Sequence, residues 1–353
     1  MSDNAKPSGQ PRVTIVVSPR ERFGMAQRSL ESIYAASDIP FDLVYVDAAS
    51  PKYISAWLKT AAPVKGLKIV RVDRFVSPNE ARNLGAAQAK TEFVVFIDND
   101  VMCADGWLGA LVKAADETGA DVVAPLVCEG YPLHSRVHQA TGTFTHDKTA
   151  FFATPPGKRE FIDIMTHHGV PLAEVSDQLH RAQTDTCEFH GLMVRRSMLD
   201  KIGQLDEEMF ATKEHIDFCI AVAHAGGKLV FEPSSVITYV FPTSKNPLTR
   251  DDLPYFLLRW SPVWQIRSLD HIQKKWGLKD GEYLTAYRGA ENLNMRHYQG
   301  VVKPLIKKIP IVRRSWRLTQ AAGRFLANHY NRKAEALAAQ YEKQRAMRQQ
   351  AVE

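Results

Sequence analysis

Between residues 12 and 124, short apolar runs alternate with helical spacings, and this alternation restricts the fold more than any other feature of the chain. Residues 12–17 are rich in β-formers, and residues 24–36 carry helical apolar spacing through Leu30, Ile33 and Tyr34. Strands are expected at 41–46 and 67–72, with a helix around 54–58 between them. Ser77-Pro78 introduces a helix over 79–89, followed by a strand at 93–97, a helix at 106–118 and a strand at 121–124. Strands alternating with helices form right-handed βαβ units. The expected class is therefore α/β, a doubly wound, mostly parallel sheet flanked by helices. Ligands of such sheets bind beyond the carboxyl ends of the strands, which puts Pro19, Asp47, Asp98 and Asp100 on one rim.

The run Phe93-Val94-Val95-Phe96-Ile97 stops abruptly at two carboxylates, Asp98 and Asp100. Side chains alternate in an extended segment, so the pair is expected to face one way. Like charges held together need a cation or several donors. Hard oxygen ligands suit Mg²⁺ or Mn²⁺, ions that also hold a substrate's phosphates. The competing reading of an isolated D-x-D is a solvated turn closing a strand.

At 353 residues, 45% apolar and 24% charged, the chain has the composition of an ordinary globular protein. It shows no apolar stretch of membrane-spanning length. Residues 1–11 are polar and read as a disordered lead-in rather than a signal peptide. Cys103, Cys128, Cys187 and Cys219 form no CxxC pair, which suits a reduced, cytoplasmic setting. Residues 126–184, rich in His, Pro, Gly and Thr, read as an irregular substrate-covering loop or insertion. Regular signals return as a strand within 185–194, a helix over 213–225 stopped by Gly226-Gly227, and strands at 228–231 and 236–241. A helical extension is expected over 246–300. In the tail, 301–353, Lys307, Lys308, Arg313, Arg314, Arg317 and Arg324 interleave with apolar residues including Trp316 and Phe325. Such a segment lies on an anionic membrane surface or packs on its own domain with a solvated basic face, and the two readings weigh equally. Residues 333–353 read as a polar, frayed helix.

Several segments carry a resemblance when taken in order. They are Val13-Thr14-Ile15-Val16-Val17-Ser18-Pro19, Val44-Tyr45-Val46-Asp47-Ala48-Ala49-Ser50, Glu80-Ala81-Arg82-Asn83-Leu84-Gly85 and Asp98-Asn99-Asp100. Gly191-Leu192-Met193-Val194-Arg195-Arg196, Ile202-Gly203-Gln204-Leu205-Asp206-Glu207 and Lys213-Glu214-His215-Ile216-Asp217-Phe218-Cys219 follow. Over roughly residues 12–240 the chain resembles the family 2 glycosyltransferases with the GT-A fold. The resemblance implies one domain over 12–245, with a nucleotide-binding half (12–125) and an acceptor-binding half (126–245). It also implies metal-dependent transfer from a nucleotide-diphosphate sugar to an acceptor hydroxyl, inverting, in cell-surface glycan synthesis at the cytoplasmic face. On that reading Asp98 and Asp100 hold Mg²⁺ or Mn²⁺, and Pro19, Asp47, Arg82 and Asp98 contact the donor. His190, Gly191 and Asp217 bind the acceptor, a glycan, lipid-linked glycan or small molecule.

His215 stands where the family carries its catalytic aspartate, and Tyr239 stands where it often carries a metal-ligand histidine. Imidazole titrates near neutrality, so His215 is the expected base, with Glu214 orienting it or the acceptor. Blander readings stand beside these: Asp47 as a turn residue, Arg82 in a surface salt bridge, and Glu214 and Asp217 as acids at a helix start. The alternative for the whole protein is a degenerate sugar-nucleotide-binding or scaffold module. The loop Ser18-Pro19-Arg20-Glu21-Arg22 has no glycine before Gly24, which argues against a dehydrogenase or a nucleotidyltransferase, and no nucleic-acid module is present. His134 and His138 lack the glutamate of a zinc-protease helix, and with His146, His167, His168 and His180 they read as loop or acceptor-pocket residues. Trp260 and Trp264 read as core packing.

Overall fold

The computed structural model of the chain describes residues 9–243 and 246–350. Its first half runs β1 (Val13–Ser18), α1 (Ala26–Ala36), β2 (Phe41–Ala48), α2 (Lys52–Lys65), β3 (Lys68–Val72), α3 (Pro78–Ala86) and β4 (Phe93–Asp98), the order the alternation expects. Strands β3, β2, β1 and β4 lie side by side and parallel, with Val16 opposite Val44 and Phe96. Period-two alternation divides β1 and β4 between two apolar layers. Ile15, Val17, Val95 and Ile97 face Leu30, Ile33, Trp107 and Leu111, whereas Val16, Val94 and Phe96 face Phe189, Met209 and Phe218. A strand covered on both faces reads as a continuous apolar run, as these do.

The chain continues through β5 (Val101–Cys103), α4 (Trp107–Thr118), β6 (Val122–Glu129), β7 (Val137–Gln139), β8 (Gly142–Thr143), α5 (Lys148–Ala153), β9 (Ile164–Met165) and β10 (Ala182–Gln183). After these come β11 (Gly191–Arg195), α6 (Arg196–Ile202), α7 (Glu214–His224) and β12 (Leu229–Tyr239). The α/β class holds, but the parallel run stops at β4. Strand β11 lies antiparallel between β4 and β6, and the sheet beyond it is mixed. β11 returns antiparallel beside β6, which also sets it antiparallel to β4. The strand expected within 185–194 is formed only from Gly191. The two strands expected at 228–231 and 236–241 are one, β12, whose register against β6 shifts between Glu232 and Val236, around Pro233. Proline has no N–H for the ladder, and a bulge accommodates it. The irregular span 126–184 holds several short elements, and its first four residues belong to β6.

Helices α8 (Leu253–Arg259), α9 (Pro262–Trp276), α10 (Glu282–Arg288), α11 (Ala290–His297), α12 (Lys303–Lys307), α13 (Pro310–Arg313) and α14 (Trp316–Gln350) follow. The frayed end expected over 333–353 is corrected as far as Gln350. Ala334, Ala338 and Tyr341 of α14 are buried, and the Tyr341 ring packs on Trp264 with centroids 4.8 Å apart. Its hydroxyl donates to Glu80 at 3.3 Å, and Arg267 pairs with Glu342 at 2.6 Å. Trp264 is fully buried, as expected of core packing. No helix among the described residues is long and apolar enough to cross a membrane. Of the lead-in expected over 1–11, residues 1–8 lie outside the described residues.

Candidate active site

Strand β4 ends at Asp98, and Asn99-Asp100 form the turn into β5. The carboxylates converge through this turn rather than through strand alternation, a correction to the geometry expected from sequence. Asn99 fixes the turn by accepting from the Arg20 backbone N–H (2.8 Å) and donating its own backbone N–H to Ser18 (3.1 Å). The two acids then differ sharply. Asp98 accepts from Arg20 (3.1 Å), Arg82 (3.3 Å) and His190 Nδ1 (3.1 Å). Burial alone would raise its carboxyl, but Arg20, His190 and Arg82 hold it well below the usual range. Asp100 is fully buried and neither of its oxygens has a hydrogen-bond partner. Burial, then the charges of Asp98 and Glu21, push its carboxyl well above the usual range.

Arg82 reaches this point because α3 lies directly on β1. Ser77 caps the helix by accepting from the Glu80 N–H (3.3 Å), and Pro78 supplies its first turn. Gly85 permits the approach, since a Cβ there would stand 2.2 Å from Val16 Cγ1. Asn83 exchanges hydrogen bonds with the Leu205 backbone (2.8 and 2.9 Å), so it is a structural member of its motif. Arg82 is 1% exposed, stacks over Phe189 at 3.9 Å and donates to Asn79 as well as Asp98, which rules out the surface salt bridge. Pro19 is buried on the same rim. Asp47 is the penultimate residue of β2 rather than the first residue after it, and both its oxygens are engaged, by Arg71 (2.7 Å) and the Ser50 N–H (3.3 Å), which favours the turn reading.

Three residues of the site escaped sequence reasoning. Arg20, Glu21 and Arg259 are buried with Arg82, and Arg259 donates to Glu214 (2.8 Å) and pairs with Glu21 (3.4 Å). Arg82 Nε and Arg259 Nη1 are buried without hydrogen-bond partners, whereas Arg20 Nε lies 3.3 Å from Glu21. A set of unsatisfied guanidinium donors beside an unsatisfied carboxylate is costly unless a ligand completes it. A divalent cation fits the free Asp100 oxygens, and an oxyanion fits the free N–H groups.

Helix α7 separates residues that the sequence placed together. Glu214 points into the arginines, where Arg259, Arg82 and Arg20 overcome its burial and hold its carboxyl at about 2. It does not orient His215. The partner of His215 is Glu188, 3.4 Å from Nε2, with both side chains partly exposed. Asp217, expected at the acceptor, has its carboxylate engaged within the fold, accepting from Trp276 Nε1 (2.8 Å) and Lys275 (2.9 Å) and tying α7 to α9. Gly191 is small for packing, because a Cβ would meet Ile237 at 2.5 Å. His190 is buried on Asp98 and stacked on Tyr239 with centroids 3.9 Å apart, rather than open to an acceptor. Burial and the Arg20 charge lower its imidazole to about 4, so it is neutral at pH 7.

The half-sheet of parallel strands gathers acidic residues and buried arginines at its carboxyl ends, the rim on which α/β domains bind ligands. Residues 14–170 match the model of Glycosyl transferase family 2. The chain is 27% identical over 248 residues to mouse polypeptide N-acetylgalactosaminyltransferase 3, covering 67% of this chain and 37% of that one. It is 29% identical over 240 residues to the succinoglycan biosynthesis protein ExoO of Rhizobium meliloti, covering 68% and 63%. The chain thus spans little more than a third of the mouse relative's length. A crystal structure of GalNAc-T7 with UDP, GalNAc and Mn²⁺ overlaps 86% of this chain and 57% of its own, at 14% identity and a TM-score of 0.47, too loose to align individual residues.

Proposed function

We propose that the protein transfers a sugar from a nucleotide-diphosphate sugar to an acceptor hydroxyl, with inversion. The observation that carries this reading is the fully buried Asp100 carboxylate, both oxygens free, beside arginines with free N–H groups. Asp100, with Asp98, would hold Mg²⁺ or Mn²⁺, which when bound stabilises charge on the departing diphosphate. Arg20, Arg82 and Arg259 present donors to diphosphate oxygens. Glu188 takes the Nε2 side of His215 and leaves Nδ1 to accept the acceptor's hydroxyl proton. With Mn²⁺ and a panel of nucleotide sugars, nucleotide should be released slowly even without acceptor, whereas a pure binding module would release none.

His215→Ala is expected to lower kcat by about 10²–10⁴-fold, the usual worth of a positioned base. Glu188→Gln should cost less and shift the pH profile of kcat, because it acts through the imidazole. A His215→Ala rate within a few-fold of wild type would remove the base from this mechanism. The anomeric configuration of the product, read by NMR, tests inversion separately.

The acceptor belongs, on this reading, to glycan or lipid-linked glycan synthesis at the cytoplasmic membrane face. Supporting this, Trp316 is 74% exposed and Ile311 and Phe325 each 68%, among exposed Lys307, Lys308, Arg314, Arg317 and Arg324. The protein should pellet with vesicles containing anionic phospholipid and less so after Trp316→Ala plus Phe325→Ala. Equal pelleting with neutral vesicles would speak against an electrostatic anchor.

A further inference from the structure

We infer that Glu129, His138 and His168 form a binding site for a transition-metal ion of the Zn²⁺ class, separate from the acidic pair at Asp98 and Asp100. The three come from different places: Glu129 ends β6, His138 is the middle residue of β7, and His168 lies in the loop after β9. One ligand atom from each lies within 4.8 Å of the others. No spacing rule in the sequence joins them, and the His134/His138 pair considered from sequence is the wrong one. His134 Nδ1 is instead occupied by the Thr238 hydroxyl at 2.7 Å.

The surroundings are those of a prepared site. His168 Nδ1 is bonded to the backbone carbonyl of His138 at 2.7 Å, so this nitrogen carries the proton and Nε2 keeps a free lone pair. Metal-binding imidazoles characteristically use their second nitrogen in this way. The His168 backbone is pinned on both sides. His167 and Gly169 both adopt positive φ (59° and 74°), Arg136 donates to the Gly169 carbonyl, and the Gly169 N–H donates to Val137 at 2.8 Å. His138 Nδ1 is hydrogen-bonded to Glu129 Oε2 at 3.0 Å, close to the separation of about 3.3 Å between neighbouring ligands on a tetrahedral zinc, and an ion would take the place of the shared proton.

The donor chemistry separates this site from the acidic pair. Two imidazoles and a carboxylate suit Zn²⁺ and its neighbours, whereas oxygen ligands alone suit Mg²⁺ or Mn²⁺. Three ligands leave at least one coordination position open. Glu129 also lines a cavity of about 930 Å³ with Tyr131, Arg136 and Phe241, so an ion has a route in. The His138 ring packs edge-on against His190 at 5.2 Å, and His190 holds Asp98. An ion here would therefore fix β7 and the 166–170 turn against the ring that supports the acidic pair, without touching the pair itself.

The test uses full-length protein stripped with chelator, then dialysed against Zn²⁺ and analysed for bound metal, with melting followed in parallel. One tight equivalent is expected in wild type and in Asp100→Asn, with a Zn²⁺-dependent rise in Tm. His168→Ala, at an exposed position, should weaken Zn²⁺ affinity at least tenfold, and so should Glu129→Gln. Co²⁺ should give the strong visible absorption of a tetrahedral site in wild type and lose it in His168→Ala. The inference is overturned if no tight equivalent binds, or if His168→Ala and Glu129→Gln bind Zn²⁺ as wild type does. It is equally overturned if the equivalent disappears in Asp100→Asn but persists in His168→Ala.

Discussion

Asp100→Asn is expected to lower metal-dependent transfer by about 10²–10³-fold, the usual cost of deleting one group that stabilises transition-state charge, while the metal-free protein melts no lower than wild type. The two halves of that result have one cause. Asp100 is fully buried and its oxygens have no hydrogen-bond partner, so the carboxylate serves no bond of the fold itself. Burial and the neighbouring Asp98 and Glu21 raise its carboxyl well above the usual range. A group whose folded pKa is raised binds its proton more tightly when folded. Its favourable contribution is present at low pH and is lost as pH rises through the folded value. Metal-free wild type should therefore lose this contribution between acid and neutral pH and fall relative to Asp100→Asn over that range, because an amide of the same shape carries no charge. Mn²⁺ should raise the Tm of wild type and leave that of the variant nearly unchanged. A variant that melts well below wild type would make Asp100 a structural residue, and the cation site would then have to be sought elsewhere.

The sequence was most readable where one segment carries the whole signal. Strands β1 and β4 are nearly continuous apolar runs because both faces are covered, β3 with exposed Lys68 and Arg71 is the sheet edge, and all four strands β1 to β4 were placed within about two residues of their bounds. Asp98, Asp100 and Arg82 were legible as motif residues, although the turn that joins the acids and the burial of Arg82 were not. Reading failed where pairing is non-local. β11 shows its antiparallel direction only once β4 and β6 flank it, and a bulge around Pro233 looks like a strand break from inside the segment. The arginine cluster was missed for the same reason. Arg20 lies 78 residues from Asp98, and Arg259 lies 45 from Glu214 and 238 from Glu21 (259 − 21), so no local pattern links them. In α7 the adjacent pair Glu214-His215 invited a shared role. Successive helical residues point about 100° apart, and the structure gives them different partners, Arg259 and Glu188.

The largest loss of stability is expected from Arg259→Ala. Arg259 and Glu214 are 1% and 5% exposed, joined at 2.8 Å, and Arg259 also lies 3.4 Å from Glu21. Deleting one member of a buried pair leaves the other's charge uncompensated, at a cost of about 3–5 kcal/mol. For a domain of this size that is on the order of 10 °C in Tm. The pH dependence identifies the mechanism. Burial opposes ionisation of Glu214, but Arg259 first, then Arg82 and Arg20, hold its carboxyl at about 2 against an ordinary 4.5. A depressed carboxyl contributes stability in full above its unfolded value and loses it as pH falls toward the folded one. The gap between wild type and Arg259→Ala should therefore be widest above about pH 4.5 and close as the pH falls toward 2. Pairing Arg259→Leu with Glu214→Gln should recover much of the stability, since both charges are then gone, but not the activity, since Arg259 Nη1 is one of the free donors at the site. Urea unfolding of the single and double variants measures this directly. An Arg259→Ala protein within about 1 kcal/mol of wild type, the range of an ordinary surface pair, would show that water already screens the cluster and that its arginines are not held there unpaired.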